Sequence, residues 1–202
     1  MFCIRNLCLS LLCLALINSF SVHADQSPFI KTSLEVANPQ DNQWIWIDTK
    51  QKIVQFMDKD TPIKVFNHAA FGRGGVGLKR KRGDNITPQG VYTIGWNNEK
   101  SDFRKFFGLT YPSIQDADNG LKRHLISETE YQAIVKANME HKVPPQNTAL
   151  GGSVGIHGLG TPIRRIKKHL VSNWTEGCVA LTNEQIDEFA MYVKPGMLVV
   201  ID

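Results

Sequence analysis

H-G-L-G-T-P-I-R-R-I-K-K-H-L-V-S-N-W-T-E-G-C, residues 157–178, sets a cysteine twenty-one residues after a histidine, with glycine following the one and preceding the other. A thiol and an imidazole that fold together can carry acyl transfer through a thioester. A free thiol with a pKa of about 8.5 is mostly protonated at neutral pH, so it needs a nearby imidazole or a field of backbone donors. His157 supplies the first. Gly177 supplies the second, because a residue without a side chain lets backbone N–H groups approach a developing oxyanion. His68, His124, His141 and His169 compete as partners, and residue chemistry alone leaves that choice open.

The flanks of this stretch read as its scaffold. Residues 151–158, G-G-S-V-G-I-H-G, form a small-residue strand that brings His157 to a cavity edge, and residues 162–170 form a short basic helix facing water. Thr182-Asn183-Glu184-Gln185 is a capping box, in which hydroxyl and amide side chains satisfy orphan donors at a helix start. The apolar residues Ile186, Phe189, Ala190 and Val193 follow at helical spacing, and Pro195-Gly196 turns the chain into a last strand over 197–201.

Further upstream, residues 44–48, 52–57 and 63–66 are short, rich in β-branched and aromatic residues, and separated by polar clusters, which predicts a β-meander. Phe71-Gly72-Arg73-Gly74-Gly75-Val76-Gly77 lacks the Gly-Lys-Ser/Thr ending of a phosphate loop, so its glycines are read as allowing turns and close backbone approach. Lys79-Arg80-Lys81-Arg82 is expected to be a solvated loop. Thr87-Pro88-Gln89-Gly90 leads into a strand over 91–94, and residues 97–126 carry apolar mass without a period and are expected to be irregular. Ser127-Glu128-Thr129-Glu130 is a second capping box, before a helix whose apolar face is Tyr131, Ile134, Val135 and Met139.

Composition bounds the class. The chain has 202 residues, 42% hydrophobic and 21% charged, which suits one globular core and excludes a disordered or fibrous chain. Arg5, the apolar run 7–17 and the closing Val22-His23-Ala24 describe a cleaved secretory signal over 1–24, and the run is too short to span a bilayer. Residues 25–42 read as a flexible lead and 43–202 as one folded domain, the one that would carry any catalysis. Export would remove Cys3, Cys8 and Cys13 and leave Cys178 alone, so the surviving thiol points to reactivity or to pairing between chains. A disulfide oxidoreductase would need a second cysteine in C-x-x-C. After export, 22 Lys and Arg would stand against 19 Asp and Glu, too mild a balance for nucleic-acid binding.

With these residues in view, the chain resembles the L,D-transpeptidases with a YkuD-type catalytic domain. Their signature is a histidine, about fourteen to seventeen residues, then Ser/Thr-His-Gly-Cys, a hydrophobic residue and Asn or Arg. Here His157 and seventeen residues precede Thr175-Glu176-Gly177-Cys178-Val179-Ala180. The resemblance covers roughly Trp44 to Asp202 and extends to the Thr87–Tyr92 turn and the Ala180–Asn183 helix start. It implies an α+β, mostly β fold, a YkuD-like β-sandwich with helical additions.

By that resemblance Cys178 would be the nucleophile, His157 its base, and Gly158 the carbonyl that orients the imidazole. Thr175 would join the hydrogen-bond network, and the N–H groups of Gly177 and Cys178 would face the oxyanion. Trp174, Glu176 and Arg73 are candidates for substrate contact. Glu176 stands where the family has histidine and Ala180 where it has Asn or Arg, so Arg73, Arg164 or Lys79 would have to supply a cation for a substrate carboxylate. No metal or organic cofactor is implied. The partners would be peptidoglycan tetrapeptide stems and a wall-attached lipoprotein, met in the periplasm or cell-wall space, with no nucleic acid and no membrane insertion after signal cleavage. A hydrolase of the same fold, cutting stem or stem-lipoprotein bonds, and an inactive wall-binding module are the alternatives.

Overall fold

The computed structural model describes residues 42–161 and 164–202. The expected signal peptide over 1–24, and all but the last residue of the lead expected over 25–42, lie outside the described residues. β1 (Gln43–Asp48), β2 (Ile53–Asp58) and β3 (Thr61–Phe66) form the predicted antiparallel meander. The first turn is tied by Asp48, whose carboxylate accepts from the N–H groups of Lys50 and Gln51 at 3.0 and 2.8 Å.

The meander is the start of an eight-stranded sheet ordered β3-β2-β1-β10-β6-β7-β8-β9. Its other members are β6 (Gly90–Asn98), β7 (Phe106–Leu109), β8 (Gly155–His157), β9 (Val179–Ala180) and β10 (Leu198–Ile201). The Gly-rich stretch supplies β4 (Val76–Gly77), which pairs only with β5 (Thr87–Pro88). Its close approach is real: a Cβ on Gly72 would lie 2.1 Å from the carbonyl oxygen of Asn85.

This sheet cannot be flat. Four strand steps separate β2 from β7, roughly 19 Å at the usual inter-strand spacing. Yet Phe189 lies 4.9 Å from the ring of Phe56 on β2 and 5.2 Å from the ring of Phe107 on β7. The sheet therefore curls into two facing halves that share β6, whose register shifts between Ile94 and Trp96. Between the halves sits α4 (Asn183–Phe189), begun by the predicted capping box on Thr182 and burying Ile186 and Phe189. The mostly β expectation stands, with the layers of the sandwich being one continuous sheet.

Two further helices pack together at one end. α2 (Glu128–Met139) starts at the predicted Ser127 cap. α1 (Ile114–Lys122) lies in the stretch expected to be irregular, as does β7. The buried positions of α1 are Asp116, Ala117 and Gly120, so it presents small residues rather than an apolar stripe. They meet Leu150, whose side chain would be 2.9 Å from a Cβ on Gly120. α3 (Arg164–Val171) is the predicted basic helix, with Lys167 and Lys168 exposed and His169 buried. No helix among the described residues is long and apolar enough to cross a membrane.

Candidate active site

β8 and β9 run parallel, with Ile156 opposite Val179 and His157 opposite Ala180. Ile156 and Val179 both point into the main core. Side chains alternate along a strand, so His157 and Cys178, each one residue away, project together from the other face. Diagonal neighbours on adjacent strands lie about 7–8 Å apart at Cα, within reach of an imidazole. The Cys178 sulfur lies over the start of β8, donating to the Ser153 carbonyl at 3.4 Å and accepting from the Gly155 amide. The predicted strand over 151–158 is thus regular only at 155–157, because Ser153 has φ 53 and the chain bends around the thiol.

His157 is buried in an aromatic box. Its ring centroid is 4.4 Å from Phe103, 6.3 Å from Phe106 in stacked geometry, and 5.9 Å from Trp174 edge-on. Nδ1 lies 2.6 Å from the Gly158 carbonyl oxygen. A carbonyl only accepts, so Nδ1 carries the proton and the neutral ring keeps its lone pair on Nε2. Gly158 has no room for a side chain, since a Cβ would meet Ile186 at 2.7 Å and the Phe103 carbonyl at 2.8 Å. The loop beyond is clamped by Asn183, whose Oδ1 accepts from the N–H groups of Leu159 and Gly160, both at 2.9 Å, and whose Nδ2 donates to the Gly160 carbonyl at 3.0 Å. In sequence Asn183 reads only as part of a helix cap, so this clamp is invisible there.

The residues before Cys178 form a tight turn closed on Thr175. Its hydroxyl donates to the Cys178 carbonyl at 2.6 Å and accepts from the Gly177 N–H at 3.2 Å. Among the described residues, no acceptor meets the Cys178 N–H. Of the two donors expected to face an oxyanion, Cys178 is open and Gly177 is engaged by Thr175. Gly177 sits at φ +133, and a Cβ there would lie 2.9 Å from the Ile86 carbonyl oxygen.

Beneath this turn the structure corrects one reading. Lys79 does not belong to a solvated loop: its side chain is 4% exposed, against Arg80, Lys81 and Arg82, which are exposed. The reason is Asp84, whose carboxylate pairs with Lys79 Nζ at 2.5 Å and accepts from the N–H groups of Arg80, Lys81 and Ile86. Burial alone would raise the Asp84 carboxyl, but Lys79 and these amides outweigh it and hold it below its ordinary range. Cys178 keeps part of its surface accessible while protein crowds its sulfur. Burial pushes its thiol up to about 11, opposed by the Gly155 amide and Lys79 and assisted by Glu176.

The three candidate substrate contacts come together at the rim. Arg73 and Glu176 form an exposed ion pair at 3.3 Å, and the Arg73 amide donates to the Thr175 carbonyl at 2.9 Å. Trp174 stands between His157 and His169, with its Nε1 3.4 Å from His169 Nδ1. The side chain of Arg164 lies outside what is described. An open cavity of about 500 Å³, lined by Ser101, Asp102, Arg104, Gly160, Thr161 and Asn183, includes neither Cys178 nor His157. Among the described residues, no group of three or more His, Cys, Asp or Glu side chains could hold a metal ion.

Residues 42–201 match the model of the L,D-transpeptidase catalytic domain, YkuD. A comparison with curated proteins gives no significant match. Among solved structures, a mutant form of the helical cell shape determining protein Pgp2 from Campylobacter jejuni is similar at 21% identity and TM-score 0.50, over 80% of this chain and 48% of that one. The L,D-transpeptidase from Mycobacterium smegmatis is similar at 11% identity and TM-score 0.43, over 80% of this chain and 58% of that one. This chain thus aligns with about half the length of each. At such identities the likeness is one of fold.

Proposed function

The chain belongs to the family of L,D-transpeptidase catalytic domains, and on that premise we propose that it is a cysteine acyltransferase acting on peptidoglycan tetrapeptide stems, with Cys178 as nucleophile and His157 as base. The observation that carries this reading is the parallel β8–β9 register, which sets thiol and imidazole on one face of neighbouring strands. The Nδ1–Gly158 hydrogen bond supports it by leaving Nε2 as the basic nitrogen.

In this reading Nε2 of His157 takes the Sγ proton as sulfur attacks the carbonyl of the stem's diamino acid. The free Cys178 N–H, with Gly177 turned from Thr175, receives the oxyanion. Collapse breaks the C–N bond to the terminal D-alanine, whose amine leaves with the proton held by the imidazolium, and a thioester remains on Cys178. An amine of a second stem or of a wall-attached lipoprotein then attacks, returning the thiol and forming a new amide. Water in place of the amine would give a shortened stem.

At the rim, Arg73 supplies the cation that Ala180 lacks, Glu176 faces the substrate's amino groups, and Trp174 walls the site. Such a substrate places the protein in the periplasm or cell-wall space, in keeping with the export signal expected over 1–24.

The test is to incubate the protein with tetrapeptide muropeptides, with and without an acceptor amine, and read products by mass spectrometry beside Cys178→Ala. D-alanine release, an acyl adduct on Cys178 and a cross-linked product are expected. Shortened stems alone would reassign the protein as a hydrolase, and no release at all would make it a binding module.

A further inference from the structure

Lys79 and Asp84 are the most enclosed ion pair among the described residues, with side chains 4% and 9% exposed. Burying two charges is costly, and a neutral pair could pin the 79–84 loop at less expense, so the charge itself calls for a reason. The lysine runs between two glycines that both have positive φ. Its Cε lies 3.7 Å from where a Cβ on Gly151 would stand, and its Nζ 3.9 Å from where a Cβ on Gly177 would stand. The ammonium therefore faces the Gly177 turn, at contact distance from the space that a side chain on the residue before Cys178 would fill.

We propose that Lys79 is a positioning residue for Cys178: held by Asp84 under the Gly177 turn, its ammonium favours negative charge on the cysteine sulfur. This rests on the acyl-transfer reading for its purpose, although the effect on the thiol stands without it. The other charged or titratable groups around the site are accounted for. Glu176 on the same turn opposes thiolate, Arg73 is paired with Glu176, His157 shares the face of the sheet, and Asp116 is near enough to feel Lys79. Asp84 offsets part of the lysine's field while fixing its ammonium under the turn. Lys79 is the cation among these that acts on the sulfur from inside the protein.

The experiment measures alkylation of Cys178 by iodoacetamide over a pH series in the full chain, read by mass spectrometry on the peptide carrying Cys178. Lys79→Met tests the charge. Lys79→Met with Asp84→Asn repeats it without an unpaired carboxylate, its one oxygen serving the Arg80 and Lys81 amides that share Oδ2 but not the Ile86 amide on Oδ1. Lys79→Arg keeps the charge. In the neutral variants the apparent thiol pKa is expected to rise by about one unit, a tenfold loss of thiolate, partly offset by the greater nucleophilicity of a more basic thiolate, so that alkylation at pH 8 falls roughly threefold. Lys79→Arg should stay near the parent.

An unchanged pH profile in the folded double variant would overturn the proposal. So would an equal shift in Lys79→Arg, which would make the lysine a structural pin. Alkylation needs no peptidoglycan, so either result is separable from failure of the stem-peptide assay.

Discussion

The Thr175 hydroxyl donates to the carbonyl oxygen of Cys178 at 2.6 Å while holding the Gly177 N–H, so one side chain closes the turn on which the thiol rides. Thr175→Val keeps the shape and removes both bonds, leaving two backbone groups unpaired. Equilibrium denaturation should show a loss of about 1–3 kcal/mol, and acyl-adduct formation on Cys178 should slow. Thr175→Ser, which restores the oxygen, should recover most of both.

Gly177 is under a stricter demand. At φ +133 with Ile86 O 2.9 Å from a Cβ position, Gly177→Ala meets both strain and a backbone clash. Stability should fall by about 1–3 kcal/mol, and the acyl adduct should be lost almost entirely because the Cys178 N–H is displaced. Gly196→Ala, at φ +80 with open space around it, should cost stability but leave adduct formation intact.

The Asp84 carboxyl is held below the usual carboxylate range, and that sets a pH window. A depressed carboxylate contributes its full stability above the unfolded pKa and loses it as pH falls through the folded one. Denaturation free energy should therefore decline below about pH 4, and Asp84→Asn should be less stable at neutral pH with a flatter acid limb. A wild-type acid limb unaltered in Asp84→Asn would count against the ion pair as its source.

Arg73 and Glu176 are 55% and 79% exposed, so their mutual attraction adds little to folding. Arg73→Ala should change stability by less than about 0.5 kcal/mol. If Arg73 receives a substrate carboxylate, the same change should raise KM for stem peptides about tenfold with kcat nearly unchanged. A fall in kcat alone would move Arg73 out of substrate binding.

Much of this was legible from residues alone, and the division follows a physical line. Elements announced by local chemistry were readable: the strands β1 to β3, rich in β-branched and aromatic residues, and the helices begun by capping boxes at Ser127 and Thr182. α1 was not, although Ser113 and Asp116 form a capping box there too, because its buried face is Asp116, Ala117 and Gly120, small and polar residues that give no apolar period. In the site, Cys178 stood out as the one thiol expected to remain after export and His157 by resemblance to the family's spacing, whereas the burial of Lys79 was hidden within a run of four basic residues. What separates it from Arg80 to Arg82 is Asp84, and a pairing across five residues in an irregular loop leaves no pattern in the sequence.

The parallel register of β8 and β9 has an implication for how this site can change. His157 sits in that backbone ladder and Cys178 immediately precedes it, carried by the turn that Thr175 closes, so sheet and turn together set the placement of thiol and imidazole. Arg73 and Glu176 touch that ladder only at its margin. On the proposed reading, chassis and fittings are thus separable: residues at the rim can be exchanged, and with them the molecules admitted, while Cys178 and His157 keep their placement.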